Sequence, residues 1–161
     1  MEIVQERILY HINSIGNLNT YDKLKIGDII NTDVKQYNPF RASYETGHGK
    51  PEVYWRFAKE YVIEQKRIEI NENLPSRWRC IWLSDEEHLP YWKTKVHNNF
   101  QIVKMKLNGK LFSGDAHWVE AQPKPFRDLS RYAEFYWDGQ IFRPGKLEYL
   151  FEGKAEVIEL V

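Results

Sequence analysis

Few residues in this chain fall in patterns that could do chemistry. Asp115, His117 and Glu120 in "GDAHWVE" offer nitrogen and oxygen donors for a metal. That spacing arises often by chance, and no H-x-x-x-H or cysteine pair supports it, so no metal is expected. Cys80 alternates with Trp78 and Trp82, the pattern of a buried strand residue rather than of an exposed nucleophile. Neither a Walker loop nor a G-x-G-x-x-G run is present. What remains is a set of polar residues in apolar surroundings. His11 ends the apolar run of "RILYHINSIGNL", Ser76 and Arg77 lead "PSRWRCIW" toward Trp82, and Glu148 opens "KLEYLFEG". Together they supply an imidazole, a flat aromatic ring and a carboxylate from three distant strands.

Each of these residues also has a plainer role. His11 could bond a backbone carbonyl at a strand end, and Glu148 could face solvent like Glu152, Glu156 and Glu159 nearby. Trp82 could be core, Arg77 could pair with helix glutamates, and Ser76 could shape the turn beside Pro75.

The elements that must position these groups can be read from periodicity and breakers. Residues 7–12 read as a short buried strand, and "KLKIGDIINT" reads as a turn into another. "YNPFRASYETGHGKP" (Tyr37–Pro51) reads as a long irregular loop, a type that usually covers something. Pro51 then starts a helix, with Glu52 at its positive end and Tyr54, Phe57, Ala58, Tyr61 and Ile68 at helical spacing. "RWRCIWL" (Arg77–Leu83) reads as a strand, and Ser84 with Glu87 as a capping box near Pro90. Asn108–Gly109 within "NFQIVKMKLNGKLFSGD" is a hairpin signal, because Asn-Gly supplies the positive φ angles of a type I′ turn. "RDLSRYAEFYWDG" reads as a helix capped by Asp128 and stopped at Gly139, and "LEYLFEGKAEVIEL" as two strands broken at Gly153. Little βαβ alternation is present, so the class is α+β, in one domain over 1–161.

Composition narrows the setting. With 161 residues the chain is long enough for one hydrophobic core. Its 23 basic and 23 acidic residues leave no net charge to drive bulk nucleic-acid binding. A single cysteine cannot form an internal disulfide, and no apolar run approaches a membrane span. A cytoplasmic domain that does not engage a membrane is the expectation.

"LYHI" early, "PSR" before an apolar strand, and "LEYLFEGKAEV" near the end together resemble an uncharacterised bacterial branch of the ADP-ribosyltransferase-like superfamily. The resemblance implies a split β-sheet with a few helices and an NAD cleft between its sheets, NAD serving as substrate. In the poly(ADP-ribose) polymerase-like members a first-strand histidine, a second-strand tyrosine and a late glutamate form that site. By that likeness His11 and Glu148 would match the first and last, while Trp82 stands where the tyrosine would be, without its hydroxyl. Glu148 would then stabilise positive charge on the ribose as the nicotinamide bond breaks, a step akin to glycoside cleavage. Trp82 would stack on nicotinamide, His11 would bond a ribose hydroxyl, Arg77 would meet the pyrophosphate, and Ser76 would add a hydroxyl contact. The loop from Arg41 to Lys50 would close over the ligand. The acceptor could be protein, nucleic acid, a small molecule or water. Two other classes stay open: a nucleotide-binding module without turnover, and a protein-interaction domain.

Overall fold

The computed structural model describes residues 1–15, 22–34, 50–96, 99–120 and 122–161. Among them the chain runs β1 (Glu2–Ser14), β2 (Ile29–Asn31), α1 (Pro51–Asn71), β3 (Ile81–Leu83), α2 (Leu89–Lys93), β4 (Phe100–Asp115), α3 (Phe126–Trp137) and β5 (Leu147–Leu160). Short 3₁₀ turns at Ala116–Val119 and Pro144–Lys146 flank α3. The α+β class expected from the sequence holds, and among the described residues no helix is long and apolar enough to cross a membrane. Of the loop expected over 37–51 and the lid expected over 41–50, residues 37–49, Arg41 among them, lie outside the described residues.

All strand pairings are antiparallel, in the order β1-β4-β5-β2. β3 shares the second edge of β5 with β2, against Tyr149–Phe151 rather than Lys154–Glu156. Just past β3, Ser84 exchanges two 2.8 Å backbone hydrogen bonds with Tyr10 of β1. That bridge brings the far side of the sheet back onto its first strand, so the strands curl around an interior.

Alternation assigns the two faces. Leu9, Leu83, Met105, Leu111, Phe151 and Val157 fill the inner core. Their neighbours Phe112 and Leu150 point outward, to a second core with Ile63, Ala133, Tyr136 and Trp137 of the helices. Trp137 Nε1 donates to the Ile63 carbonyl at 2.8 Å, fixing α3 against α1.

Several local expectations are corrected. Asn108–Gly109 is not a hairpin, because β4 runs through it unbroken and pairs with β1 and β5 on its two sides. Asn108 Oδ1 instead accepts from the Glu6 amide, where β1 bulges between Val4 and Arg7. Gly109 pairs with Gly153, and a Cβ on Gly109 would sit 2.3 Å from the Glu152 carbonyl oxygen. The two glycines let the long strands approach closely, and β5 is continuous through Gly153. The first strand reaches well beyond 7–12 at both ends. Residues 77–79 form a turn, so the strand begins only at Ile81, and Ser76 and Arg77 precede it. Asp85, not Ser84, supports the next helix by accepting from the His88 amide at 2.9 Å. Asp128 lies inside α3, whose N-cap is Pro125, while Gly139 does end it, with φ +72.

The largest reversal concerns α1. Pro51 opens it as expected, yet Tyr54 and Tyr61 are 65% and 53% exposed. The buried stripe is Lys59, Glu60, Ile63, Glu64 and Arg67, at spacings of one and three to four residues. This face meets a polar turn and two strand carboxylates, so charge rather than hydropathy orients the helix.

The Gly109–Gly153 contact is testable. Gly109→Ala is expected to lower unfolding free energy by at least about 2 kcal/mol in a denaturant titration, because the obstructing atoms are backbone and cannot turn aside. Gly145→Ala, whose Cβ would meet open space, serves as the control.

Candidate functional site

The site is built on the outer face of β5. Glu148, Leu150 and Glu152 project there by alternation, and α1 and α3 cover them. At its centre lies the Arg77 guanidinium. Its Nε donates to Glu60 Oε2 at 2.8 Å, and its Nη1 donates to Tyr136 Oη at 3.0 Å and to Glu148 Oε1. The Tyr136 hydroxyl in turn donates to Glu148 Oε1 at 2.6 Å. The guanidinium carbon is 5.4 Å from the ring centres of both Trp82 and Tyr136, within cation–π range. Three chain regions, α1, the turn before β3 and β5, thus contribute charges to one buried cluster.

Ser76 anchors a second carboxylate pair beside the first. Its hydroxyl donates to Glu64 Oε1 at 2.8 Å and its amide donates to Glu152 Oε1 at 2.9 Å. Arg67 binds Glu64 through Nε and Nη2 and also caps the Leu74 carbonyl at 2.9 Å. The turn carrying "PSR" is therefore held by side chains on both sides, which explains why it is a turn and not a strand.

Burial and charge act in opposite directions here. Burial alone would push the Glu60 carboxyl up, but Arg77 and Lys59 outweigh it and hold it down at about 2. Burial favours loss of the Arg77 charge, yet Glu148 and Glu60 more than compensate and keep it protonated. Tyr136 is pushed well up by burial and by Glu148, so its hydroxyl remains a donor. Cys80 is likewise pushed up by burial, which leaves it a thiol and a poor nucleophile.

His11 reaches this cluster from the other direction. Its Nδ1 donates to the Trp82 carbonyl oxygen at 2.9 Å, and burial lowers its pKa. A carbonyl can only accept, so Nδ1 carries the proton and the neutral ring has its acceptor at Nε2. Of the five residues singled out by sequence, Arg77 meets both Glu148 and Trp82 directly. Ser76 adjoins Arg77 in the chain and binds the neighbouring carboxylates, while His11 is linked through the Trp82 backbone. Glu60, Glu64 and Tyr136 were not singled out; the signal for them was the i, i+4, i+7 recurrence of Glu60, Glu64 and Arg67 on the helix.

The metal-like trio has other duties. Asp115 Oδ1 accepts from the His117 amide, and its Oδ2 accepts from the amides of Phe142 and Arg143 at 2.7 and 2.5 Å. Among the described residues no group of three or more His, Cys, Asp or Glu side chains is arranged to hold a metal ion.

The sequence profile of a family described as a protein of unknown function (DUF2441) matches residues 45–161. The match includes Ser76, Arg77, Trp82 and Glu148 and begins after His11. No curated protein matches the chain.

The Glu60 carboxyl falls from 4.5 to about 2 on folding, so it stabilises the fold above pH 4.5 and loses that contribution as pH drops toward 2. Glu60→Gln is expected to cost roughly 3 kcal/mol at neutral pH. Denaturant titrations at a series of pH values should show the gap from the parent chain shrinking between pH 4.5 and 2. A gap that stays constant would mean Arg77 does not hold this carboxylate.

Proposed function

We propose that this chain, which belongs to the DUF2441 family, is an ADP-ribosyltransferase-like enzyme with the split-sheet architecture of that superfamily, a reading that rests on the geometry of the site and not on the family match. It takes NAD and breaks the bond between nicotinamide and ribose, passing ADP-ribose to an acceptor or to water. The observation that carries this reading is the convergence of Arg77, Trp82 and Glu148, with His11 bonded to the Trp82 carbonyl.

The chemistry asks for a fixed carboxylate. As nicotinamide leaves, the anomeric carbon takes on oxocarbenium character, and positive charge grows on the ribose. A carboxylate held in place beforehand stabilises that charge without reorganising in the transition state. Arg77 and Tyr136 both bond Glu148 Oε1, while among the described residues Oε2 takes no hydrogen bond. Oε2 is therefore the acceptor for a ribose hydroxyl. Arg77 acts here as the positioning residue of that carboxylate, and Ser76 as the anchor of the turn that presents Arg77. Trp82 offers its ring to nicotinamide, and His11, on the opposite face of the sheet, acts through Trp82 by donating to its backbone carbonyl rather than by touching a ribose.

One observation favours the alternative of NAD binding without turnover: Arg77 and Tyr136 already draw on the Glu148 charge. Nicotinamide release separates the two readings. Incubation of the chain with NAD should liberate nicotinamide, and Glu148→Gln should slow release by about 10²–10³-fold while preserving the fold. A rise in melting temperature with NAD, but no nicotinamide from any acceptor mixture, would establish the binding module. Absence of both effects would remove NAD altogether.

A further inference from the structure

Beside the start of β5, His88 is buried between two acceptors. Its Nδ1 lies 2.6 Å from Asp85 Oδ1, and its Nε2 lies 2.7 Å from the Pro144 carbonyl oxygen. A carboxylate and a carbonyl can only accept, so both ring nitrogens must donate, and only the imidazolium does that. We propose that protonated His88 is a latch that ties the Pro144–Lys146 turn, the lead-in to β5, to the connection between β3 and α2.

The surroundings are arranged around this charge. Asp85 Oδ1 also accepts from the His88 amide, and Asp85 Oδ2 accepts from the Tyr149 hydroxyl of β5 at 2.8 Å. Trp92 of α2 adds a parallel tie, donating to the Leu147 carbonyl at 2.7 Å. The charged and titratable groups facing the ring are thus Asp85 and Glu87 of its own connection and, through Asp85, Tyr149 of β5. Burial disfavours the charged ring, but Asp85 and the Pro144 carbonyl outweigh it and raise its pKa. A raised histidine stabilises the fold fully below pH 6.5 and loses that contribution as pH climbs through its folded value. When the proton leaves, the one that remains stays on Nδ1 against the Asp85 carboxylate. Nε2 then presents a lone pair to the Pro144 carbonyl, and the latch opens four residues before Glu148.

This makes His88 a positioning residue for Glu148, a consequence that rests on the NAD reading; the latch itself does not. The other groups nearby titrate elsewhere. His11 and His117 are lowered by burial, and Tyr149 is pushed up to about 12 by burial and Asp85.

The test uses the full chain between pH 5 and 9. Nitrogen NMR should show both His88 ring nitrogens protonated at pH 6.5. Amide exchange at residues 145–149, corrected for intrinsic pH dependence, should quicken about tenfold or more as the ring deprotonates. His88→Gln, which cannot titrate, should abolish that step. A singly protonated ring at pH 6.5, or the same step in His88→Gln, would overturn the latch; the ring spectrum of the parent chain decides the matter even if the variant does not fold. Nicotinamide release is measured alongside. Release that falls with the exchange step supports the positioning of Glu148, and release that ignores the step overturns it. An exchange step without any release would sink the NAD reading and leave the latch standing.

Discussion

The fold outside the curled sheet depends on keeping one guanidinium out of water. Arg77 is buried, and that is sustainable only because Glu60 and Glu148 flank it and Tyr136 bonds it. A buried ion pair gains little over an apolar contact of equal volume, because desolvation cancels most of the attraction. Breaking it is another matter, since the partner left behind stays charged in a poor solvent. The cluster therefore acts less as a source of stability than as a constraint on geometry. Helix α1 can sit in only one rotation, β5 must present Glu148 on its outer face, and the turn at 76–79 must hold its shape. A carboxylate oriented so firmly is what charge-stabilising catalysis needs.

The sheet separates two environments with a single layer of backbone. Within one strand, Phe151 packs into the interior while Leu150 meets the helices. His11 shares a face with Leu9 on the inner side, yet its Nδ1 bonds the carbonyl of Trp82, whose ring lies on the outer side. The imidazole and the guanidinium are thus joined across the sheet through one residue.

Sequence periodicity revealed the helices and the class, and the five residues singled out by their types are linked through Arg77 and Trp82. It misled where an element's local signal served a non-local purpose. Asn108–Gly109 carries the composition of a turn, but the asparagine supports a bulge in β1 and the glycine admits β5; both partners are distant in the chain. The aromatic stripe of α1 has the spacing of a core face, yet the charged stripe wins because its partners are charged. The turn at 77–79 could not be read from residues 76–83 alone, since glutamates on α1 and β5 hold it. His88 escaped notice for the same reason, one of its two acceptors lying 56 residues away.

Strand β5 touches β4 along nearly its full length and also carries β2 and β3 on its second edge. It follows the other described elements in the chain and is the seam to which β2, β3 and β4 attach. During synthesis the earlier strands must therefore wait, exposed, until it leaves the ribosome, and sheet closure through Tyr10 and Ser84 can follow only then. Pairing over such sequence distances is slow and leaves unsatisfied edges in the interim. A nascent chain of this design is one that a chaperone would be expected to shelter.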